Sequence, residues 1–291
     1  MTVRRTLPHR DIRTIGAWCF LDHYGPQDVT ADGDGGMQVP PHPHTGLQTV
    51  TWLLDGHVVH DDSVGSHQEV RPGELNLMTA GRGIAHSEVS APGHSGPLHG
   101  VQLWVALPEA ARDQAPHFEH HADLPVLSDG LARTTVVMGE LAGARSAAAT
   151  YSPLVAAVVE LPGAGATTLP LEPGFEHAAL TLDGPATVDA TALERGTLLA
   201  LAPGRRAVTV TAEGPARVLL LGGAPFEEDL VMWWNFVARS HEEIAEARDD
   251  WAAGRRFGSV GGYPGEPLPA PALPTTRLLP RRSGGLVRPR A

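Results

Sequence analysis

The sequence contains no lysine: all 22 of its basic residues are arginine. Schiff-base catalysis and a lysine general base are therefore excluded. Cysteine is nearly absent too. The single residue, Cys19, rules out an intrachain disulfide and a four-cysteine zinc knot, and within "GAWCFLDHYGP" it reads as a small buried hydrophobe. No run approaches the ~20 apolar residues of a membrane helix, and the N-terminal "MTVRRTLPHRDIRTIGAW" has charge without the apolar core of a signal peptide. A cytoplasmic protein with no membrane partner is expected. Cations are in the minority, with 33 acidic residues and a net charge of -11, so direct, non-specific binding to nucleic acid is not expected.

Glycine (33) and proline (26) are plentiful and aromatics few (5%), which suits short strands joined by tight turns and predicts an all-β protein. At 291 residues, two domains of ordinary size are favoured. From Leu47 to Leu54 the chain alternates in the strand manner, with Val50, Trp52 and Leu54 on one face and Thr49 and Thr51 on the other. Asp55-Gly56 then predicts a tight hairpin. "VRPGELNLMTAG" and "HGVQLWVALP" are further strands.

A weaker copy follows. "LLDGHVV" (53–59) resembles "TLDGPATV" (181–188), and "RPGELNLMTAG" (71–81) resembles "ERGTLLALAPG" (194–204), so one β unit is used twice. The polar stretch 109–130 reads as the connection. The resulting domains are 1–130 and 131–262, the second carrying a helix at about 240–253, followed by a Pro- and Arg-rich tail, 263–291. Ser240 and Glu243 form a capping box for that helix, Ile244, Ala247 and Trp251 share one face, and Gly254 ends it. The tail reads as a loosely attached arm.

In "PPHPHTG", the residue before Pro43 is held extended, so His42 and His44 point the same way with Cα atoms ~6.6 Å apart. Two imidazoles at that spacing can converge on one ion at ~2.1 Å, although the pair reads equally as polar residues at the mouth of a strand. A second pair, His86 and Glu88 in "AGRGIAHSE", lies just after another strand. Three imidazoles and a carboxylate suit a divalent first-row metal such as Fe, Mn, Ni or Cu better than structural zinc. In the second unit the aligned positions are Pro170, Glu172, Thr209 and Thr211, which predicts a half without the site.

"HPHTGLQTVTWLLDGHVVHDDSVGS", "RPGELNLMTAGRGIAHSE" and "HGVQLWVALP", in that order, closely resemble the pirins, over most of residues 13–260. The resemblance implies two tandem cupin β-barrels. It also implies metal ligation by His42, His44, His86 and Glu88, with Fe(II) first and Mn, Ni, Co or Cu as alternatives. Gln48 stands where many pirins have Glu, a position not thought to be a ligand in that family. Some members open the ring of the flavonol quercetin with O2 and others are transcriptional coregulators. The expectation is a dioxygenase for a flavonol-like substrate, with Glu88 as ligand and base, or else a metal-binding regulator with a protein partner. Val50, Trp52, Leu75 and Leu77 are candidates to line the substrate cavity. The remaining histidines match no ligand position, with His60 and His99 near the barrel mouth.

Overall fold

A computed structural model describes residues 1–30, 36–91 and 93–282. Strands β1 (Val3–Leu7) and β2 (Trp18–Asp28) open the chain. They are followed by β3 (Gln38–His44), β4 (Leu47–Asp55), β5 (Val58–Asp62), β6 (His67–Val70), β7 (Leu75–Thr79), β8 (Ile84–Ser90), β9 (Pro97–Ala106) and β10 (His117–His121). From Tyr24 onward these strands form the first of two compact units. Its two sheets have the orders β2-β9-β4-β7-β10 and β3-β8-β5-β6. Thr51 on the first sheet reaches Glu88 on the second (3.0 Å), so the sheets face one another and close a barrel. One end is filled by Tyr24, Val29, Leu53, Val58, Val70 and Leu98.

Asp55-Gly56 does not make the hairpin that its composition predicts. Gly56 takes φ +93°, but β4 gives its two edges to β7 and β9, whereas β5 pairs with β6 and β8. With both edges of β4 taken there is no ladder left for β5, and the turn passes the chain from one sheet to the other. The Gly81 turn is required sterically: φ is +53°, and a β-carbon there would lie 2.2 Å from the Gln114 carbonyl oxygen.

The second unit comprises residues 4–23 and 123–227 of those described. Its further strands are β11 (Val126–Ser128), β12 (Arg133–Leu141), β13 (Ala144–Arg145), β14 (Leu154–Leu161), β15 (Gly165–Pro170), β16 (Glu176–Asp183), β17 (Ala186–Val188), β18 (Thr191–Leu193), β19 (Leu198–Leu201), β20 (Ala207–Ala212) and β21 (Ala216–Gly223). The orders β14-β21-β16-β19 and β15-β20-β17-β18 repeat those of the first barrel strand for strand. Here the facing sheets meet through aliphatic side chains, among them Val155, Val159 and Leu220 from one and Leu169, Val188 and Val210 from the other. Thr209 and Thr211, aligned in sequence with His86 and Glu88, alternate with the buried Val208, Val210 and Ala212 and so point away from this barrel's core, and Thr209 pairs with the exposed Thr168, their hydroxyls 2.9 Å apart.

The chain ends with β22 (Asp229–Trp233), β23 (Phe236–Ala238), helix α1 (His241–Ala252) and β24 (Arg281–Arg282). The contacts place 228–282 with the first unit, and 4–23 with the second, which differs from the continuous ranges 1–130 and 131–262 read from sequence. The reason is the apolar stripe of α1. Ile244, Ala247 and Trp251 need a complementary surface, and they pack with Phe236, Phe257 and Ala85, the last on β8 of the first barrel. Ser240 caps the helix as expected, accepting from Glu243 N at 3.2 Å. The described part of the tail is tied down rather than loose: Trp251 Nε1 donates to Leu268 O (2.8 Å), Leu268 N to Pro41 O (2.8 Å), and β24 pairs with β22. Arg288 and Arg290 lie outside the described residues.

Candidate metal centre

Three adjacent strands of one sheet carry the candidate residues. On β3 and β8, His42 stands directly opposite His86, with His44 and Glu88 two residues along on each strand. Next to β8, strand β5 sets His60 opposite Glu88 and Asp62 opposite His86. Alternation on a strand puts residues i and i+2 on one face, so all six point the same way, toward the facing sheet.

His42, His44 and His86 are 7%, 1% and 1% exposed, with ring centroids 4.4 to 5.0 Å apart. The Nδ1 of His42 donates to Pro40 O (2.9 Å) and that of His44 to Asn235 O (3.0 Å), since a carbonyl can only accept. Each ring therefore keeps its Nε2 lone pair for the interior. Burial pushes His42 down to about 4, and holds His44 and His86 well below the ordinary histidine value, each further lowered by its imidazole neighbours. All three are neutral at pH 7, the ligating form. The fit to a cation shows in one contact. His44 Nε2 and His86 Nε2 lie 3.1 Å apart in a dry interior, near enough for one ion to bond both at ~2.1 Å.

The four residues expected from sequence do not form one group. The donor atoms of His42, His44 and His86 lie within 4.8 Å of one another, and so do those of His60, His86 and Glu88, with His86 common to both sets. Burial pushes the Glu88 carboxyl up, opposed by His60 and by the hydrogen bond from Thr51 Oγ1. Tyr24, fully buried, has its phenol pushed up by that burial and by the charge of Glu88.

His60 and Asp62 are the residues that sequence reasoning missed. His60 was expected at the barrel mouth; it is 2% exposed and touches His86, Nδ1 to Nδ1, at 3.3 Å. Asp62 was not singled out at all. The available signal was the i and i+2 spacing of His60 and Asp62 in "HDD", on a strand with the same period as the other two pairs. His99 is buried as well, but its Nδ1 lies 3.7 Å from Asp55, at the end of β4.

The expected cavity lining is inverted. Thr51 is the β4 residue that reaches Glu88, so Val50 and Trp52, and Leu77 and Leu75 paired with them, share the opposite face. The site instead faces Thr49, Thr51, Asn76, Met78, Gln102 and Trp104. Trp104 meets His44 edge-on at 5.2 Å, and Phe118 stacks on His60 at 4.5 Å. Volume alone does not locate the candidate site: a cavity of about 430 Å³ in the second unit is lined by Glu140, Glu172, Phe175 and His177, among others, and by none of the candidate metal ligands.

Family models match two stretches, "Pirin" over residues 1–105 and "Pirin C-terminal cupin domain" over 156–258. A Pseudomonas aeruginosa protein named "Putative quercetin 2,3-dioxygenase" is 46% identical over 94% of this chain and 86% of its own. A "Pirin-like protein" of Caulobacter vibrioides is 40% identical, covering 87% and 88%. The crystal structure of a quercetin 2,3-dioxygenase from Acinetobacter baumannii superposes with TM-score 0.90 at 42% identity, over 94% of this chain and 91% of that one.

Proposed function

The chain belongs to the pirin family, and on that premise we propose that it is a metal-dependent dioxygenase opening the ring of quercetin or a related flavonol with O2. The observation that carries this reading is the convergence of three buried, neutral imidazoles, His42, His44 and His86, with His86 shared by a second group that contains the buried Glu88. His42, His44, His86 and Glu88 would hold the ion, Fe(II) first, with Mn, Ni, Co or Cu as alternatives. A divalent metal, when bound, supplies Lewis-acid and redox chemistry for O2 attack on the activated ring.

The protein's own part is proton transfer, orientation and exclusion of water. Glu88, with its carboxyl pushed up by burial, is a stronger base than an exposed carboxylate and takes the flavonol hydroxyl proton at one of its oxygens, while Thr51 donates to Oε1. Met78, Trp104 and Phe118 offer the flat ring apolar contact, and Asn76 and Gln102 offer polar contacts to its hydroxyls. A first domain that holds the metal, a second that does not, and a cytoplasmic setting belong to the same proposal. No helix among the described residues is long and apolar enough to cross a membrane.

The test is aerobic incubation of metal-loaded protein with quercetin, following loss of the flavonol absorbance. Turnover that His44→Ala abolishes, and that Glu88→Gln slows, supports the dioxygenase. Tight metal retention with no turnover on any of the five metals overturns it in favour of a metal-dependent regulator that binds a protein partner.

A further inference from the structure

Asp62 and His60 form a buried pair that the proposed reaction does not use. Asp62 Oδ1 accepts from Val64 N (3.0 Å) and Ser66 N (2.9 Å), so that oxygen is already committed. Oδ2 is 3.2 Å from His60 Nε2, with the two side chains 0% and 3% exposed. A carboxylate oxygen accepts, so Nε2 is the protonated nitrogen of His60 and its Nδ1 carries a lone pair. That lone pair lies 3.3 Å from His86 Nδ1, which must then be the donor. His86 is left with its Nε2 lone pair facing His44 Nε2. Every proton in this chain has one acceptor, whereas reversing the chain would set the lone pair of His60 Nε2 against the Asp62 carboxylate oxygen in a buried place.

We propose that Asp62 and His60 act as positioning residues, a carboxylate–imidazole relay that fixes His86 in the tautomer able to bind metal and raises its basicity. Stacking on Phe118 holds the middle ring of the relay in plane. Partners of this kind commonly set metal affinity by ~10- to 100-fold. The inference rests on metal binding at His86 and not on any substrate.

The experiment uses the full chain and two readouts. Long-range nitrogen–proton correlation spectra of metal-free protein report the His86 tautomer; Fe(II) and Mn(II) affinities by competition with a chelator report the consequence. Asp62→Asn keeps the oxygen facing Val64 and Ser66 but presents an amide N–H to His60. His86 is expected to move to the Nε2-protonated form, and affinity to fall by ~10- to 100-fold. His60→Leu is expected to weaken binding by a like amount. His60→Asn, whose amide oxygen stands near the Nδ1 position, should bind more tightly than His60→Leu, and that rescue excludes a general loss of folding. X-ray absorption should find the same number of imidazoles on the metal in wild type and in His60→Asn. An unchanged His86 tautomer in Asp62→Asn, or one imidazole fewer in His60→Asn, overturns the relay. A failure of quercetin turnover leaves both readouts standing, so the two proposals fail separately.

Discussion

Acid should unfold the metal-free protein through its buried histidines, and His42 allows the size of the effect to be worked out. Its folded-state value is about 4 against an ordinary 6.5, with burial as the first cause. The folded value is the lower one, so as pH falls the unfolded chain binds the proton first. Stability is then complete above about 6.5, drains away between 6.5 and about 4, and loses nothing more from this group below that. The slope is ~1.4 kcal/mol per pH unit, and the full effect is ~3 kcal/mol for His42 alone. His44 and His86 act in the same direction. Glu88 acts the other way, because its carboxyl is raised and the folded state takes up that proton first. Urea unfolding of metal-free protein, followed by circular dichroism at pH 7, 6 and 5, is the assay. A steep fall is expected for wild type, a shallower one for His42→Gln and a steeper one for Glu88→Gln. Wild-type stability that is flat from pH 7 to 5, or a slope that His42→Gln leaves unaltered, would refute the reasoning.

Three further outcomes are expected. Leu77→Ala, on the face away from the site, should cost ~2 to 5 kcal/mol in urea while metal titration still reaches one ion per chain. Ser240→Ala should cost ~1 kcal/mol, measured by the same unfolding, through loss of the cap on α1. Arg277→Gln, which removes an exposed ion pair with Glu242, should change stability by less than ~1 kcal/mol, and a larger loss would mean that the tail segment is held by this contact rather than by Leu273, Leu278 and Trp251.

That His42 and His44, and likewise His86 and Glu88, share one face of their strands was legible because that information is local. Alternation puts i and i+2 on one face whatever the rest of the chain does, and a proline holds the first pair extended. The helix was legible for the same reason, since cap, stripe and stop all lie within fifteen residues of one another. The duplication was visible as well, through its Gly-marked strands.

What lay beyond reach were matters of partnership between distant segments. Asp55-Gly56 reads as a hairpin until β7 and β9 are found on both edges of β4. Both faces of β4 are buried, so its alternation separates two faces without saying which of them meets the site; Thr51 on Glu88 decides it. His60 and Asp62 acquire their place only because β5 lies beside β8, and the helix joins the first unit because Ala85 and Phe236 supply the apolar surface that its own neighbours in sequence do not. Periodicity along a strand belongs to the sequence by itself, since it follows from the backbone of a few consecutive residues. Which strand lies beside which, and hence which side chains share a dry interior and a proton, is set by long-range packing and belongs to the tertiary structure alone.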